Sequence, residues 1–342
     1  MFKRSKAIGF FDEDFRLTKL TKLGDPLTRL SQGIDFQLFR DVLTERLHVE
    51  PLGAGGRKPY DYVLMFKILI LQRYYNISDD QTEYQICDRL SFMRFLNLTL
   101  ADDVPDSKTI WLFRERITDL GLVEILFETF LKELTRLNLI VNEGKIVDAS
   151  FVEVPRQRNT RDENELIKAG DTPPEWKDDP AKLAQKDLDA RWTKKNEQTF
   201  YGYKNHTKCD TKSKLITKYI VTTASVHDSQ PLADLITPED QYQPLYADSA
   251  YVGKEMDEVL TKEKKVTPQI IEKGVRNNPL TDKQKANNKE KSKVRVRIEH
   301  IFGFVENSMN GSFIRTIGIQ RATAVIGLIN LTYNLFRKIQ IA

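Results

Sequence analysis

Three carboxylates stand where a carboxylate needs a reason. Asp148 lies inside the short β-branched run KIVDASFVEV, and Asp248 lies toward the end of QPLYADSAY. Both runs alternate like strands, and a strand is a poor place for an unpaired aspartate. Each aspartate is flanked by small residues, Ala149 and Ser150 in one case, Ala247, Ser249 and Ala250 in the other. Small neighbours leave room for a ligand and its ions. Hard cations such as Mg²⁺ take carboxylate oxygens and keep waters that a substrate phosphate can replace. Two other roles fit a strand-end aspartate, capping the following turn or pairing with a buried arginine. A third carboxylate, Glu299, belongs to KVRVRIEHIFGFVE, whose Val294, Ile298, Ile301, Phe302 and Val305 form one apolar helical face. At about 100° per residue, Ser292, Arg295, Glu299 and Glu306 fall in a stripe roughly 60–120° from the centre of that face. Glu299 therefore borders the buried side, one turn from Arg295. An i, i+4 ion pair on a solvated face accounts for that pair equally well.

The elements that must position these residues come in two blocks. Residues 33 to 143 read as helical. Asp35 caps a helix through Leu47, Pro59 opens Tyr62 to Tyr74, and Ser78 with Gln81 makes a capping box. A short apolar piece, Phe92 to Leu96, precedes helices over Lys108–Ile117 and Leu122–Leu137. From Gly144 the period changes. After the Asp148 strand comes a polar stretch from Arg156 to Glu197 with 10 basic and 10 acidic residues. Its length and lack of apolar period predict an inserted, mobile segment. FYGYKNHTKCD and KLITKYIVTTAS then predict an antiparallel hairpin turning at Asp210–Ser213. A helix within Ser229–Ile236, the Asp248 strand, a short strand VTPQII, a basic linker and helices from about Lys293 complete the chain. The order predicts an α/β fold: an all-helical N-terminal domain over 1–140, then a catalytic domain over 141–342 with a polar insertion at about 156–197.

Composition bounds the rest. The 342 residues carry 40% hydrophobic content with 18 Phe and 12 Tyr, enough for a sizeable core, and a net charge of only +4. Cys87 and Cys209 are far apart and lack CxxC spacing, which argues against a disulfide scaffold or zinc ribbon and for a reducing, cytoplasmic setting. The N-terminal MFKRSKAIGFFDEDF places Asp12, Glu13 and Asp14 where a signal peptide stays apolar, and Tyr62–Leu71 is too short to cross a bilayer. No membrane partner is expected. Neither a GxSxG elbow nor a P-loop is present.

Taken in order, VDAS, FYGYKNH, ASVHDSQPL, LYADSAY and RVRIEHIFGFVENSM resemble the signatures of bacterial insertion-sequence DDE transposases, and the group numbered five among insertion sequences most closely. DRLSFMRFLNL and VPDSKTIWLFRERI are similar to that family's N-terminal domain. The resemblance implies a ribonuclease-H-like catalytic domain, a mixed five-stranded sheet with flanking helices. It implies that Asp148, Asp248 and Glu299 are the catalytic triad and ligate two Mg²⁺ or Mn²⁺ ions. One ion would lower the pKa of water or activate a DNA 3′-hydroxyl while the other stabilises the leaving oxygen. The partners implied are double-stranded DNA (terminal inverted repeats and target) and a second copy of the chain or more, acting at the bacterial nucleoid. Related families surround the glutamate with an outer Tyr, an Arg, and a Lys; Arg295 matches, but Ser292 and Glu306 replace the outer two.

Further DNA contacts are expected from Lys204 and His206, with His227 and Asp228 as candidates to touch DNA or support the site. Nine basic residues face Asp282 and Glu290 between Lys273 and Arg297, namely Lys273, Arg276, Lys283, Lys285, Lys289, Lys291, Lys293, Arg295 and Arg297. They suit a phosphate backbone or a solvated linker. In the helical block, Ser107, Lys108, Thr109 and Arg114 mark a recognition helix with Trp111, Phe113 and Ile117 as core. A packing or dimerisation role for that block is the alternative. Two other functions fit the same residues: a nuclease without strand transfer, and a non-catalytic helix-turn-helix regulator.

Overall fold

The structure, a computed structural model, describes residues 9–48, 58–195, 197–274 and 279–341. Arg276 of the basic run lies outside the described residues. The chain forms two compact units, Met1–Gln72 with Ile77–Arg116, and Arg73–Asn76 with Ile117–Ala342.

The first unit is helical: α1 (Asp12–Lys22), α2 (Pro26–Gly33), α3 (Arg40–Leu47), α4 (Tyr62–Tyr75), α5 (Asp79–Asp88), α6 (Leu90–Leu96) and α7 (Ser107–Asp119). Asp35 caps as expected, accepting from the Gln37 N–H at 2.9 Å, but it opens a 3₁₀ turn over Phe36–Phe39 and α3 begins only at Arg40. In a 3₁₀ turn residues i and i+3 align, so Phe36 and Phe39 both reach the Phe66 ring, with centroids 6.3 and 4.8 Å away. The apolar period runs through both pieces and hides the break between them. Asp61, not Pro59, caps α4, accepting from Val63 and Leu64 at 2.9 and 3.0 Å. Val63, Met65, Phe66 and Ile68–Leu71 of α4 are all buried, each worth about 1.5–3 kcal/mol of transfer free energy. Lys67 is buried with them over the Phe36 and Phe95 rings, and burial pulls its ammonium down to about 8.

The second unit is built on a six-stranded sheet: β1 (Lys145–Glu153), β2 (Arg191–Lys195), β3 (Gln198–Asp210), β4 (Ile216–Thr223), β5 (Pro244–Ala247) and β6 (Thr267–Ile270). The path runs β2-β3-β1-β5-β6, with β4 also paired to β3. β1 is antiparallel to β3 and parallel to β5, which is parallel to β6. This is the ribonuclease-H-like sheet, with one strand more than the five expected. Gly202 (φ 145°) lets β3 pass between its partners: a Cβ there would stand 2.4 Å from the Val152 carbonyl.

The extra strand, β2, comes from the stretch expected to be a mobile insertion. That stretch is ordered. It folds as α9 (Arg161–Ala169), α10 (Pro174–Lys177), α11 (Pro180–Leu183) and β2. A Thr160–Glu163 capping box starts α9, and Glu163 also accepts from the fully buried Trp176 indole at 2.7 Å. Asp187 accepts the Tyr203 hydroxyl at 2.7 Å, tying the segment to β3. Caps and one tryptophan do what a long apolar period does elsewhere.

Helices cover both faces. α8 (Leu122–Arg136) and α16 (Ile319–Ile341) pack together, and α16 lies against β4. The α16 core joins Val325, Ile326 and Ile329 to Val152 and Tyr203 of the sheet. Asn334 accepts from the Ile216 N–H and donates to its carbonyl, at 2.9 and 2.8 Å. At Gly327 a Cβ would meet the Tyr219 hydroxyl at 2.3 Å, so only glycine lets α16 approach this closely. The boundary between the two compact units falls near residue 116, because the apolar face of α8 is spent on this side. On the other face, α12 (Leu232–Leu235) and α13 (Lys254–Glu258) flank β5 and β6, where Leu232, Leu245, Ala247, Tyr251 and Val147 form a second core. From Asp282 the basic run is a helix and no linker: a Thr281–Gln284 capping box starts α14 (Asp282–Arg295). A 3₁₀ turn (Val296–Ile298), α15 (Glu299–Gly303) and a π turn (Phe304–Ser308) follow, so the single predicted helix changes its winding three times.

Candidate active site

The pairing of β1 with β5 decides where the aspartates stand. Lys145 pairs with Leu245 and Ile146 with Tyr246 in parallel register. Asp148 stands inside β1 and Asp248 directly follows β5, each three residues beyond the first pair. Neighbouring strands run about 4.8 Å apart. Asp148 is 6% exposed, and one of its oxygens accepts from the Ala149 N–H at 2.8 Å. Asp248 caps the 3₁₀ turn Ser249–Tyr251, accepting from Ala250 at 2.8 Å. The capping role expected of a strand-end aspartate is therefore met at Asp248.

Glu299 arrives from α15, half exposed. Arg295 bridges it to the strand: Nη1 lies 2.5 Å from Asp148 Oδ2 and Nη2 lies 3.2 Å from Glu299 Oε1. The i, i+4 pair exists, but its arginine also serves the buried aspartate. Burial pushes the Asp148 carboxyl up to about 6; the Ala149 N–H and Arg295 pull it down, while Asp248 and Glu299 push it further up. Asp248 and Glu299 are thus close enough to act on the Asp148 carboxylate, with one guanidinium as counter-charge. Among the described residues no three His, Cys, Asp or Glu side chains are already gathered around a point a metal could occupy. The donor set still fits a hard divalent cation: three carboxylates, one of them buried in the field of the other two, a field that added positive charge relieves. Arg295 now fills that electrostatic role. A cavity of about 540 Å³ opens beside Glu299, lined by Ala149, Ser150, Phe151, Asn205 and Phe302 among others.

Comparison with known families agrees with this geometry. Residues 141–335, more than half of the chain, match the transposase DDE domain family, and residues 15–116 match the transposase domain family DUF772. The chain belongs to the DDE transposases. It is a metal-dependent enzyme that acts on DNA. Among solved structures, a piggyBac transposase synaptic complex with hairpin DNA aligns over 94% of this chain and 76% of its own, at 13% identity and a TM-score of 0.45. Among the described residues no helix is long and apolar enough to cross a membrane.

The remaining expected contacts of the transposase divide by exposure. Lys204 is buried, donating to Asp228 Oδ1 and the Val226 carbonyl at 2.7 Å each, above the Phe151 ring. Asp228 is occupied by that pair. His206 is fully buried on Thr222, and burial lowers its imidazole to about 4, so it is neutral at pH 7 and faces no solvent. Neither Lys204 nor His206 is a surface DNA contact. His227 is exposed and bonded to Ser229. Lys291 donates to the Ile270 carbonyl at 2.9 Å and Arg297 to the Thr211 carbonyl at 3.1 Å; both anchor their helix to the sheet. Lys289 and Lys293 stay exposed on α14, as do Lys283 and Lys285. In the first unit Lys108 is exposed on α7, but Arg114 makes a two-pronged bond to Asp79 at 2.6 and 2.8 Å and supports the fold. Phe113 and Ile117 are core as expected, whereas Trp111 is 47% exposed. Sequence reasoning assigns Arg295 to DNA and misses its grip on Asp148. A signal for it exists: a strand aspartate buried without a visible partner asks for an arginine.

Proposed function

We propose that Asp148, Asp248 and Glu299 are the catalytic carboxylates of this transposase and hold two divalent ions, Mg²⁺ or Mn²⁺. The observation that carries the proposal is the parallel pairing of β1 with β5, which brings Asp248, just past the end of β5, near Asp148, with Glu299 in the same electrostatic field. Ions there would activate water or a DNA 3′-hydroxyl and stabilise the departing oxygen. The chain's own part is positional. Asp148 is held on the central strand, Asp248 is fixed by its turn, and Glu299 is paired with Arg295 while about half its side chain stays in solvent. With ions bound at Asp148, Arg295 would be released from it and become a cation available to a phosphate beside the cut.

The substrates in this reading are the terminal inverted repeats of the chain's own element and a target duplex. Two ends cut together require a dimer or larger complex. The motif order supports membership of the insertion-sequence five group, and action on the bacterial nucleoid belongs to the same reading. Exposed Lys283, Lys285, Lys289 and Lys293 of α14, directly before the Glu299 segment, supply backbone contacts, with Lys108 on α7 as a contact of the first unit. The test is a strand-transfer assay with purified full-length chain and the repeats that flank its gene. Metal-dependent nicking followed by joining of the cut 3′ end to a second duplex is expected. Cutting without joining would make the protein a nuclease, and binding without cutting a regulator.

A further inference from the structure

The turn between β3 and β4 gathers three cations that no carboxylate pairs. Arg297, in the 3₁₀ turn after α14, donates through Nη1 to the Thr211 carbonyl at 3.1 Å, and Arg337 of α16 donates through Nε to the Ser213 carbonyl at 2.7 Å. Tyr333, one helical turn before Arg337, donates to the next carbonyl, that of Lys214, at 2.8 Å. Lys214 closes the turn, its N–H donating to the Asp210 carbonyl at 3.0 Å. Among the described residues none of the three cations makes an ion pair. The carboxylate of the turn itself, Asp210, is engaged by Lys145 and by the N–H groups of Asn142, Lys212 and Ser213, while Lys212 pairs with Glu143 at 3.0 Å.

Stapling the turn uses one N–H of Arg297 and, with Gln340, two of Arg337, where each guanidinium carries five. It does not account for Lys214. That residue sits at φ 61°, in the left-handed region where asparagine or glycine is the usual occupant, and its ammonium makes no hydrogen bond among the described residues. Burial, then the charges of Arg337 and Arg297, pull that ammonium below its ordinary value, and a bound anion would reverse the effect. The turn also stands close to the carboxylates. Lys145 pairs with Asp210 and Asp148 with Thr207, so the two places are three residues apart along β1, about 10 Å.

We propose that Lys214, Arg297 and Arg337 form a clamp for a phosphate of the DNA backbone, built on the β3–β4 turn and separate from the lysines of α14. The arginines hold the turn with some of their donors and offer the rest to the phosphate, and Lys214 is the cation that has no other task. That the clamp lies beside the cut rests on the reading of Asp148, Asp248 and Glu299 as the catalytic carboxylates; the clamp itself does not.

The experiment measures binding of full-length wild type, Lys214→Asn and Lys212→Gln to a duplex carrying the repeats that flank the gene, in chelator and over a range of salt, together with thermal unfolding. Asparagine suits the left-handed backbone, so Lys214→Asn is expected to unfold no earlier than wild type. It should flatten the dependence of log affinity on log salt by up to about 0.9, which is about eightfold weaker binding at about 0.1 M salt. Lys212→Gln, whose lysine is paired with Glu143, should bind as wild type. Unchanged slope and affinity in Lys214→Asn would overturn the inference and reduce the arginines to staples of the turn. An equal loss in Lys212→Gln would show diffuse surface charge and also overturn it. Binding in chelator does not involve the metal, so either failure leaves the carboxylate assignment standing, and failure of that assignment in a cutting assay leaves the clamp standing.

Discussion

Replacing Asp148 with asparagine is expected to destroy activity and, without metal, to stabilise the protein. The Asp148 carboxyl titrates near 6 in the folded chain against an ordinary 3.8. The folded state therefore holds this proton more tightly than the unfolded state. Stability from this group is complete below about pH 4, falls as pH rises through 6, and stays low above it. A gap of about two pH units corresponds to about 3 kcal/mol at pH 7.5. Asparagine mimics the protonated carboxyl in charge, so Asp148→Asn should gain that amount at pH 7.5 and almost nothing at pH 4. For a domain of this size the gain is roughly 6–12 °C in Tm. The assay is thermal or urea unfolding in chelator followed by tryptophan emission. Trp176 is fully buried in the second unit whereas Trp111 and Trp192 are 47% and 42% exposed, so the largest change reports this unit. A variant no more stable than wild type at pH 7.5, or equally stabilised at both pH values, would refute the reasoning.

Other substitutions separate support from recognition. Arg114→Ala should destabilise the first unit by about 1.5–3 kcal/mol, since its charged bonds to Asp79 are partly buried, and leave DNA affinity unchanged once folded. Fluorescence anisotropy alongside thermal unfolding checks both halves, and weaker DNA binding by a fully folded variant would restore Arg114 to the interface. Changing Lys283, Lys285, Lys289 and Lys293 to glutamine should flatten the dependence of log affinity on log salt by up to about 0.9 for each phosphate the helix no longer neutralises. An unchanged slope would return α14 to the role of a solvated helix.

The elements that carry the carboxylates were legible because they obey local rules. The alternation of KIVDASFVEV, the hairpin split at Asp210–Ser213 and the small residues around Asp248 each depend on near neighbours. What was not legible depends on distant ones. Nothing near Arg295 in sequence announces that it reaches across to a strand 147 residues earlier. The insertion has no apolar period, yet Trp176, Glu163 and Asp187 order it through single contacts. Lys204 and His206 have the composition of surface contacts and are instead buried on β3. The α8 face reads as more of the helical block until its partners, α16 and β4, are known.

The central claim is that Asp148, Asp248 and Glu299 ligate divalent metal during DNA cutting, and a change of ligand softness tests it most directly. Each is replaced in turn by cysteine, and nicking of the chain's own flanking repeats is timed in Mg²⁺ and in Mn²⁺. A thiolate is a poor ligand for hard Mg²⁺ and a better one for the softer ion. The account predicts that the cysteine variants are inactive in Mg²⁺ and regain cutting in Mn²⁺, with DNA binding intact in both. Cutting at the wild-type rate in Mg²⁺ by the Asp148→Cys or Asp248→Cys chain would contradict it.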